Sequence, residues 1–123
     1  MGVAPVYFLD TYAMIELLRD NPTYTKFNGK QKVTSVLHLL ELRWILTRLG
    51  MSRIDHAIDS YFNKTIPIGP IALKHATSFR LQHKQKNLSY ADCLGYAMAR
   101  MQKMIFLTGD RAFVGMDGTE VVR

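Results

Sequence analysis

Cysteine, acidic residues and long apolar runs are all scarce in this chain of 123 residues. Its single cysteine, Cys93, can form neither an internal disulfide nor a cysteine-based zinc site, which excludes a disulfide-rich secreted module and favours a reducing compartment. No apolar run approaches the roughly 18 residues of a membrane span, and the first residues lack the basic and apolar regions of a signal peptide. We therefore expect a cytoplasmic protein that does not enter a membrane.

Acidic residues number only 10 against 16 lysines and arginines, which leaves a formal net charge of +6. This balance favours a polyanionic partner, with nucleic acid as the first candidate. Residues 21–40 and 60–91 contain lysines and arginine but no acid. Only this clustering supports a polyanionic partner, because any single lysine is explained by a solvated helix face. The candidates for RNA contacts are chiefly Lys74, Arg80, Lys84 and Lys86, with Lys26, Lys30, Lys32 and Lys64 beside them.

Short apolar runs alternate along the chain with longer helical patterns. The runs predict strands at 5–9, 65–68, 104–107 and 120–122, and the helical spacing predicts helices over 11–19, 36–49, 52–63, 70–85 and 89–102. The polar stretch 21–32 predicts a loop, and 33–35 either a very short strand or the cap of the next helix. Strands separated by such helices favour a parallel sheet with helices on both faces, in a single domain over 1–123.

Two of the predicted helices begin with a capping-box pattern. Ser52 precedes Asp55 by three residues, and Ser89 precedes Asp92 by the same interval. In such a box the serine side chain accepts a hydrogen bond from the acid's backbone N–H, while the acid accepts one from the serine's backbone N–H. Both patterns therefore predict helix starts.

Two helices show patterns that bear on packing. Apolar residues cover nearly every face of the helix over 36–49, so we expect it to be central or to form a subunit or partner interface. The last helix carries Ala91, Gly95 and Ala99 at intervals of four residues. Such a ridge of small residues lets a neighbouring element approach closely.

Acidic residues follow two of the predicted strands. Asp10 comes directly after the first apolar run, and Asp110 comes shortly after the run at 104–107. Asp92 lies in the first turn of a helix, and Glu41 lies within the apolar helix. Since ligands of an open parallel sheet bind beyond the carboxyl ends of its strands, we expect these acids to share one cleft.

Each of the three aspartates also has a simpler interpretation as the cap of a helix or turn, because aspartate is a favoured capping residue. Glu41 lies six residues past Ser35, which is too deep for a cap. Its simpler interpretation is an ion pair with Arg43 or Arg48 at the helix surface. Capping would use the acids separately, whereas the predicted topology sends three of them to one edge of the sheet.

Carboxylates that share a cleft repel one another, so protons or cations must neutralise them. Oxygen ligands without cysteine or clustered histidine select Mg²⁺ or Mn²⁺ over zinc or copper. Such a site can activate a water for in-line attack on a phosphodiester and stabilise the leaving oxygen. Together with the basic charge, this pattern predicts a metal-dependent nuclease.

The residues at these positions resemble the motifs of PIN-domain nucleases, and in particular of the short VapC-type toxins of toxin–antitoxin pairs. The resemblance covers nearly the whole chain and lies in 8–11 (FLDT), 34–42, 88–92 and 107–113. It implies a PIN-like three-layer α/β/α sandwich with a central, mostly parallel sheet. The metal and catalytic site that it implies consists of Asp10, Glu41, Asp92 and Asp110, with Thr11 and Thr108 orienting carboxylates or water.

The same resemblance implies an endoribonuclease that uses Mg²⁺ or Mn²⁺ on RNA, a cognate antitoxin and a homodimer. In toxins of this type the antitoxin wraps the domain and often sends a basic side chain into the acidic site. Many relatives carry a further acid where this chain has Arg111 and Ala112. We therefore expect one firmly held cation and a second that arrives with the phosphate; Asp117 and Glu120 are the nearest acids that could compensate.

Other reactive side chains show no catalytic spacing. The four histidines have no ligand spacing with one another, so we expect surface or core positions for His38, His56, His75 and His83. Cys93 is expected to pack as a small apolar group, and Trp44 to lie in the core or at an interface rather than to stack on bases.

Two other function classes compete with the nuclease. The first is a PIN-like domain that binds RNA or a processing partner without cutting it. The second, ranked lower, is a receiver-like phosphoacceptor domain, which would need paired acids after the first strand and a late lysine. Here Thr11 follows Asp10, and Arg111 follows Asp110.

Overall fold

The computed structural model describes residues 3–123 and contains a four-stranded, all-parallel sheet. The sheet order is β2-β1-β3-β4, so β1 and β3 occupy its centre. Parallel strands all end at the same edge, which places the residues after β1 and β3 side by side. The strands are β1 (Val6–Leu9), β2 (Gln31–Val33), β3 (Ile105–Thr108) and β4 (Thr119–Val121).

Helices cover both faces of the sheet, because alternate strand residues point to opposite sides and both sides are apolar. Tyr7 and Leu9 pack on one side with residues of α1, α2 and α3, whereas Phe8 and Phe106 pack on the other with α4 and α5. The predicted three-layer α/β/α sandwich is confirmed. The helices are α1 (Thr11–Leu18), α2 (Val36–Arg48), α3 (Ile54–Phe62), α4 (Pro70–Gln82) and α5 (Tyr90–Met101).

The second strand lies elsewhere than predicted. Residues 65–68 form no strand; they contribute a single bridge, between Thr65 and Thr34. Pairing stops there because the partner segment ends: Ser35, the residue after Thr34, caps helix α2. The strand that pairs with β1 is β2, which joins the end of the predicted loop 21–32 to Val33. Both alternatives predicted for 33–35 are therefore met in part, since Val33 ends this strand and Ser35 caps α2.

The remainder of that predicted loop is also ordered. Pro22–Phe27 form a 3₁₀ turn that begins at Asn21, whose side chain accepts a hydrogen bond from the Thr23 backbone. Tyr24 and Phe27 are buried within it, with 1% and 2% of their surfaces exposed. Aromatic burial therefore orders a polar segment whose spacing shows no helical or strand period.

Only one of the two predicted capping boxes forms. At α5 the Asp92 N–H donates to Ser89 Oγ and the Ser89 N–H donates to Asp92 Oδ2, both at 3.0 Å. At α3 the capping position is Arg53, which has a left-handed φ of 60° and no side-chain cap. The prediction for Ser52 and Asp55 is therefore wrong, because this left-handed turn moves the helix start past the serine.

Helix α2 has two apolar faces with different environments. Its inner face is buried, including Leu39 and Leu42, and confirms that the helix belongs to the core. On its outer face Val36, Leu40 and Trp44 are 54%, 64% and 60% exposed. Between residues 3 and 123, no helix has the combination of length and apolar character that a bilayer crossing requires.

The small residues of α5 allow the close approach that their spacing predicts. A Cβ atom on Gly95 would lie 2.8 Å from His38 Nε2 and 2.8 Å from Phe106 Cε1. The His38 ring fills this space, and both of its nitrogens have hydrogen-bond partners. Nδ1 lies 2.6 Å from Ser35 Oγ, and Nε2 lies 2.9 Å from the Ala91 carbonyl oxygen. It is a core histidine, as predicted.

Candidate active site

All four sequence-predicted acids line one cleft at the carboxyl edge of the sheet. Asp10 follows β1 directly, and Asp110 lies two residues after β3. Asp92 comes from the first turn of α5, and Glu41 comes from the middle of α2. The cleft measures about 370 Å³, and its wall also includes Thr11 and Tyr12 of α1.

Asp10 is the most enclosed of these acids, with 4% of its surface exposed. It caps α1, because its Oδ1 accepts a hydrogen bond of 2.8 Å from the Ala13 N–H. Burial raises the pKa of Asp10 to about 7, although hydrogen bonds from Thr108 and Ala13 act against this shift. The negative charges of Asp92 and Asp110 raise it further.

The other two aspartates also engage backbone N–H groups with one oxygen. Asp92 completes the capping box of α5, and Asp110 Oδ1 accepts a hydrogen bond of 2.9 Å from the Ala112 N–H. Burial raises the pKa of Asp92, and the charges of Asp110 and Glu41 raise it further. Capping and a shared cleft are therefore compatible, since each carboxylate has a second oxygen.

Glu41 does not form the surface ion pair that was its simpler interpretation. Arg43 instead pairs with Asp55 at 2.8 Å, and the Arg48 guanidinium lies 5.9 Å from the Trp44 ring. Within residues 3–123 no cation lies within ion-pair distance of Glu41. Glu41 is partly buried and lines the cleft together with the three aspartates.

Two threonines lie beside the acids. Thr108 Oγ1 accepts a hydrogen bond of 3.0 Å from the Asp110 N–H and holds the turn after β3. The Thr11 hydroxyl is buried and has no hydrogen-bond partner within the part of the chain that the structure describes. A buried hydroxyl of this kind, on the wall of an acidic cleft, needs a partner from outside the chain.

The donor set of the cleft has the chemistry of a site for a hard divalent cation. Its side chains offer carboxylate and hydroxyl oxygens, with neither histidine nor cysteine in the lining. The unpartnered Thr11 hydroxyl and the mutual repulsion around Asp10 both fit a cation with its water shell. As arranged here, however, no three Asp, Glu, His or Cys side chains in residues 3–123 converge as a ready ligand set.

Comparison with known proteins identifies the family. The family profile of the PIN domain matches residues 7–118, which include all four acids of the cleft. The chain belongs to the PIN-domain family. The family predicted from the sequence motifs is thereby confirmed, and the receiver-like alternative is set aside.

Solved structures share the fold of this PIN domain at low sequence identity. VapC20 of Mycobacterium tuberculosis, named as a sarcin–ricin loop cleaving toxin, has a TM-score of 0.75 and 19% identity, with 95% of this chain and 99% of that chain covered. A toxin–antitoxin complex from Klebsiella pneumoniae has a TM-score of 0.73 and 18% identity, with coverages of 94% and 96%. VapBC2 of Rickettsia felis, bound to a promoter DNA fragment, has a TM-score of 0.67 and 15% identity, with coverages of 95% and 97%.

No curated protein sequence matches this PIN domain. The structural likenesses therefore establish its fold, while the matched profile establishes its family.

Sequence reasoning missed Arg123, which lines the cleft beside the acids. Its Nη1 donates to the Gly109 carbonyl at 3.2 Å, and its guanidinium lies 6.0 Å from the Tyr12 ring. Gly109 has no side chain where the Tyr12 ring packs against it. The signal was available, because Arg123 follows the fourth apolar run just as Asp10 follows the first.

The two acids nearest to the missing carboxylate in the sequence lie outside the cleft of this PIN domain. Glu120 pairs with Lys26 at 3.4 Å, and Asp117 is exposed in the turn before β4. Neither lines the acidic cleft. Cys93 is 1% exposed, and burial raises the pKa of its thiol, so it packs as an apolar group.

The basic residues predicted from acid-free stretches do not form one surface, and Lys74 is exposed on α4. Arg80 and Lys84 line a separate apolar groove of about 700 Å³ between α2, α4 and α5. Lys86 instead reaches the turn after Asp110, where its Nζ donates to the Ala112 carbonyl at 3.0 Å. Lys32 has a structural role, because its ammonium donates to three backbone carbonyls.

Proposed function

We propose that this PIN domain is a metal-dependent endoribonuclease that hydrolyses RNA phosphodiesters, and that it is the toxin of a toxin–antitoxin pair. The observation that carries the proposal is the shared cleft of Asp10, Glu41, Asp92 and Asp110 in a chain with a net charge of +6. Burying acids together costs free energy, and folding stability alone gives no reason to accept that cost.

In this proposal Asp10, Glu41, Asp92 and Asp110 would hold Mg²⁺ or Mn²⁺ through their carboxylate oxygens. A bound divalent cation supplies charge neutralisation at the phosphate and lowers the pKa of a coordinated water. Asp10 holds its position through the Ala13 hydrogen bond, which fixes one oxygen and leaves the other for the ligand. Thr11 orients water at the wall of the cleft through its otherwise unpartnered hydroxyl.

RNA is the substrate that the surface charge supports. Lys86 extends along the turn after Asp110, so a cation lies beside the acidic cleft. Phosphate contacts from such residues position a strand without reading its sequence. The structurally similar M. tuberculosis protein is named as a toxin that cleaves the sarcin–ricin loop, which supports RNA as the substrate class here.

The test is cleavage of total RNA by the purified protein in Mg²⁺ and in chelator, with sequencing of the fragment ends. We expect cleavage that requires Mg²⁺ and is lost in Asp10→Asn, which keeps the cap of α1 because asparagine is an equally good capping residue. Asp59→Asn, a change at an exposed acid of α3, is the matched control and should cleave as the parent does. Equal cleavage by Asp10→Asn and the parent would exclude this catalytic assignment.

A non-catalytic RNA-binding domain is the second candidate function. It is favoured by one observation, namely that no three acids in residues 3–123 already converge on a common point. It predicts tight, Mg²⁺-independent RNA binding with no cleavage of any substrate in the same experiment. Mg²⁺-dependent fragments would dispose of it.

An antitoxin is the protein partner that we propose, because structurally similar proteins come from toxin–antitoxin and VapBC complexes. The apolar groove between α2, α4 and α5 offers it a surface, with Arg80 and Lys84 on the lining. We propose a homodimer as well, formed through the outer face of α2, and cytoplasmic action on RNA. Co-expression with the product of a neighbouring gene, followed by a cleavage assay, tests for inhibition.

A further inference from the structure

Arg123 reaches the acidic cleft by the same topological route as the aspartates. The pairing of β4 with β3 continues past Val121, since the Val122 N–H donates to the Thr108 carbonyl at 2.8 Å. The next residue therefore lies at the carboxyl edge of the sheet, beside Gly109. Three strands of the parallel sheet thus bring charged residues to one edge: two supply acids, and β4 supplies an arginine.

The Arg123 guanidinium is only partly satisfied by its contacts. One N–H group donates to a neutral carbonyl, that of Gly109, and the Tyr12 ring lies beneath at 6.0 Å. A guanidinium has five N–H donors in a planar fork, so most of its donors remain for an anion. Acids line the same cleft, yet Arg123 takes part in none of the ion pairs found in residues 3–123. Those pairs are Arg19–Glu16, Lys26–Glu120 and Arg43–Asp55.

We propose that Arg123 binds the non-bridging oxygens of the scissile phosphate, an inference that rests on the proposed ribonuclease function. A cleft of four carboxylates repels a phosphodiester, and Arg123 is the one cation among the residues that line it. A planar guanidinium matches two phosphate oxygens with two parallel hydrogen bonds. Its charge also stabilises the negative charge that accumulates on those oxygens during hydrolysis.

The backbone of Arg123 is held independently of its side chain. Its carbonyl accepts a hydrogen bond from the Thr23 hydroxyl at 3.1 Å, and the preceding Val122 carbonyl accepts one from the Tyr24 hydroxyl at 2.5 Å. The Arg123 residue itself is exposed. Replacement of the guanidinium should therefore leave the fold and the sheet edge intact, so a loss of activity would report on the substrate.

The test compares cleavage kinetics of the full chain and two variants at saturating Mg²⁺, with Tm measured for each protein. Removal of one charge-stabilising donor typically costs about 100-fold or more in rate, so we expect Arg123→Gln to lose about 100-fold in kcat/KM. Arg123→Lys should recover part of this loss, because it restores the charge without the fork. The control is Arg100→Gln. Arg100 belongs to α5, lies beside Gly118 and does not line the cleft.

A binding measurement separates this inference from the function on which it rests. The probe is a labelled single-stranded RNA oligonucleotide, bound by Asp10→Asn with and without Arg123→Gln. We expect the slope of log affinity against log salt to fall by about 1 when the arginine is removed.

Three results would overturn the inference. Unchanged kcat/KM in Arg123→Gln, with parent cleavage intact, would remove the phosphate role and leave the nuclease standing. In a Mg²⁺ titration, Arg123→Gln could differ from the parent only in the Mg²⁺ concentration that gives half-maximal activity. That result would mean that Arg123 balances the charge of the acids and does not bind the phosphate. Absence of cleavage by the parent itself would refute the ribonuclease proposal and, with it, this inference.

Discussion

At the scale of single residues, capping and cleft formation turn out to use different atoms of one side chain. Asp10 accepts the Ala13 N–H with Oδ1, yet the residue also lines the acidic cleft. The sequence offered these as competing interpretations, because a sequence pattern gives no information about individual oxygens. The same holds for Asp110 and its hydrogen bond from Ala112.

His38 is expected to make stability depend on pH. Burial lowers its pKa to about 4, against a hydrogen bond to the Ala91 carbonyl that acts the other way. The unfolded chain takes up a proton near pH 6.5, whereas the folded chain does not until about pH 4. The contribution of this histidine is therefore complete above pH 6.5 and is lost as pH falls towards 4, by roughly 3 kcal/mol.

Urea unfolding between pH 4 and 7 measures this contribution. His38→Gln should be less stable at pH 7 because the buried contacts to Ser35 and Ala91 change, but its stability should fall less steeply towards pH 4. His56→Gln, at an exposed position of α3, serves as the control and should keep the slope of the parent. Parallel profiles for the parent and His38→Gln would contradict the prediction.

At the scale of elements, α5 depends on Gly95 for its packing. Alanine is the better helix former by about 1 kcal/mol, which by itself would favour Gly95→Ala. Its Cβ would lie 2.8 Å from both His38 Nε2 and Phe106 Cε1, and neither ring is free to move, since both are buried. Overpacking costs about 1–3 kcal/mol, so we expect a net loss of about 1 kcal/mol or more.

Thermal or urea unfolding of Gly95→Ala checks this balance. Gly29→Ala is a matched control, because a Cβ atom at Gly29 would have no neighbour within 4 Å. Its stability should stay within about 0.5 kcal/mol of the parent. A stabilised Gly95→Ala would mean that the two rings can move apart.

The start of α3 shows a second element-level effect. Arg53 has a φ of 60°, a conformation that costs a residue with a Cβ about 1 kcal/mol relative to glycine. Arg53→Gly should therefore hold stability or raise it by up to about 1 kcal/mol, despite the greater flexibility of glycine in the unfolded chain. Urea unfolding measures the change, and a clear loss of stability would contradict it.

At the scale of the whole molecule, folding and metal binding should be linked. In chelator the acids of the cleft repel one another, so we expect Asp10→Asn and Asp92→Asn to melt at higher temperatures than the parent. Mg²⁺ should raise the Tm of the parent and do so less for either variant, because it binds the folded state. Thermal melts with and without Mg²⁺ test this, and Asp59→Asn should follow the parent.

Association is the second property of the whole molecule. The outer face of α2 exposes Val36, Leu40 and Trp44, three large apolar side chains one turn apart. We expect the chain to form dimers by light scattering, and the double variant Leu40→Ser, Trp44→Ser to be monomeric. The control is Val114→Ser, which removes an apolar side chain that is 64% exposed. It should leave the molar mass measured by light scattering that of a dimer. A monomeric parent at every concentration would refute this interface.

The sequence by itself determined most of the helices, three of the four strands and the positions of the acids at strand ends. These depend on local patterns: apolar runs fix β1, and the serine cap fixes the start of α5. Only the tertiary structure decided that residues 31–33 rather than 65–68 pair with β1, since pairing depends on backbone donors across the sheet. It also decided that Glu41 lines the cleft while Arg43 pairs with Asp55, because the choice of an ion-pair partner follows from how the helices pack and has no local pattern.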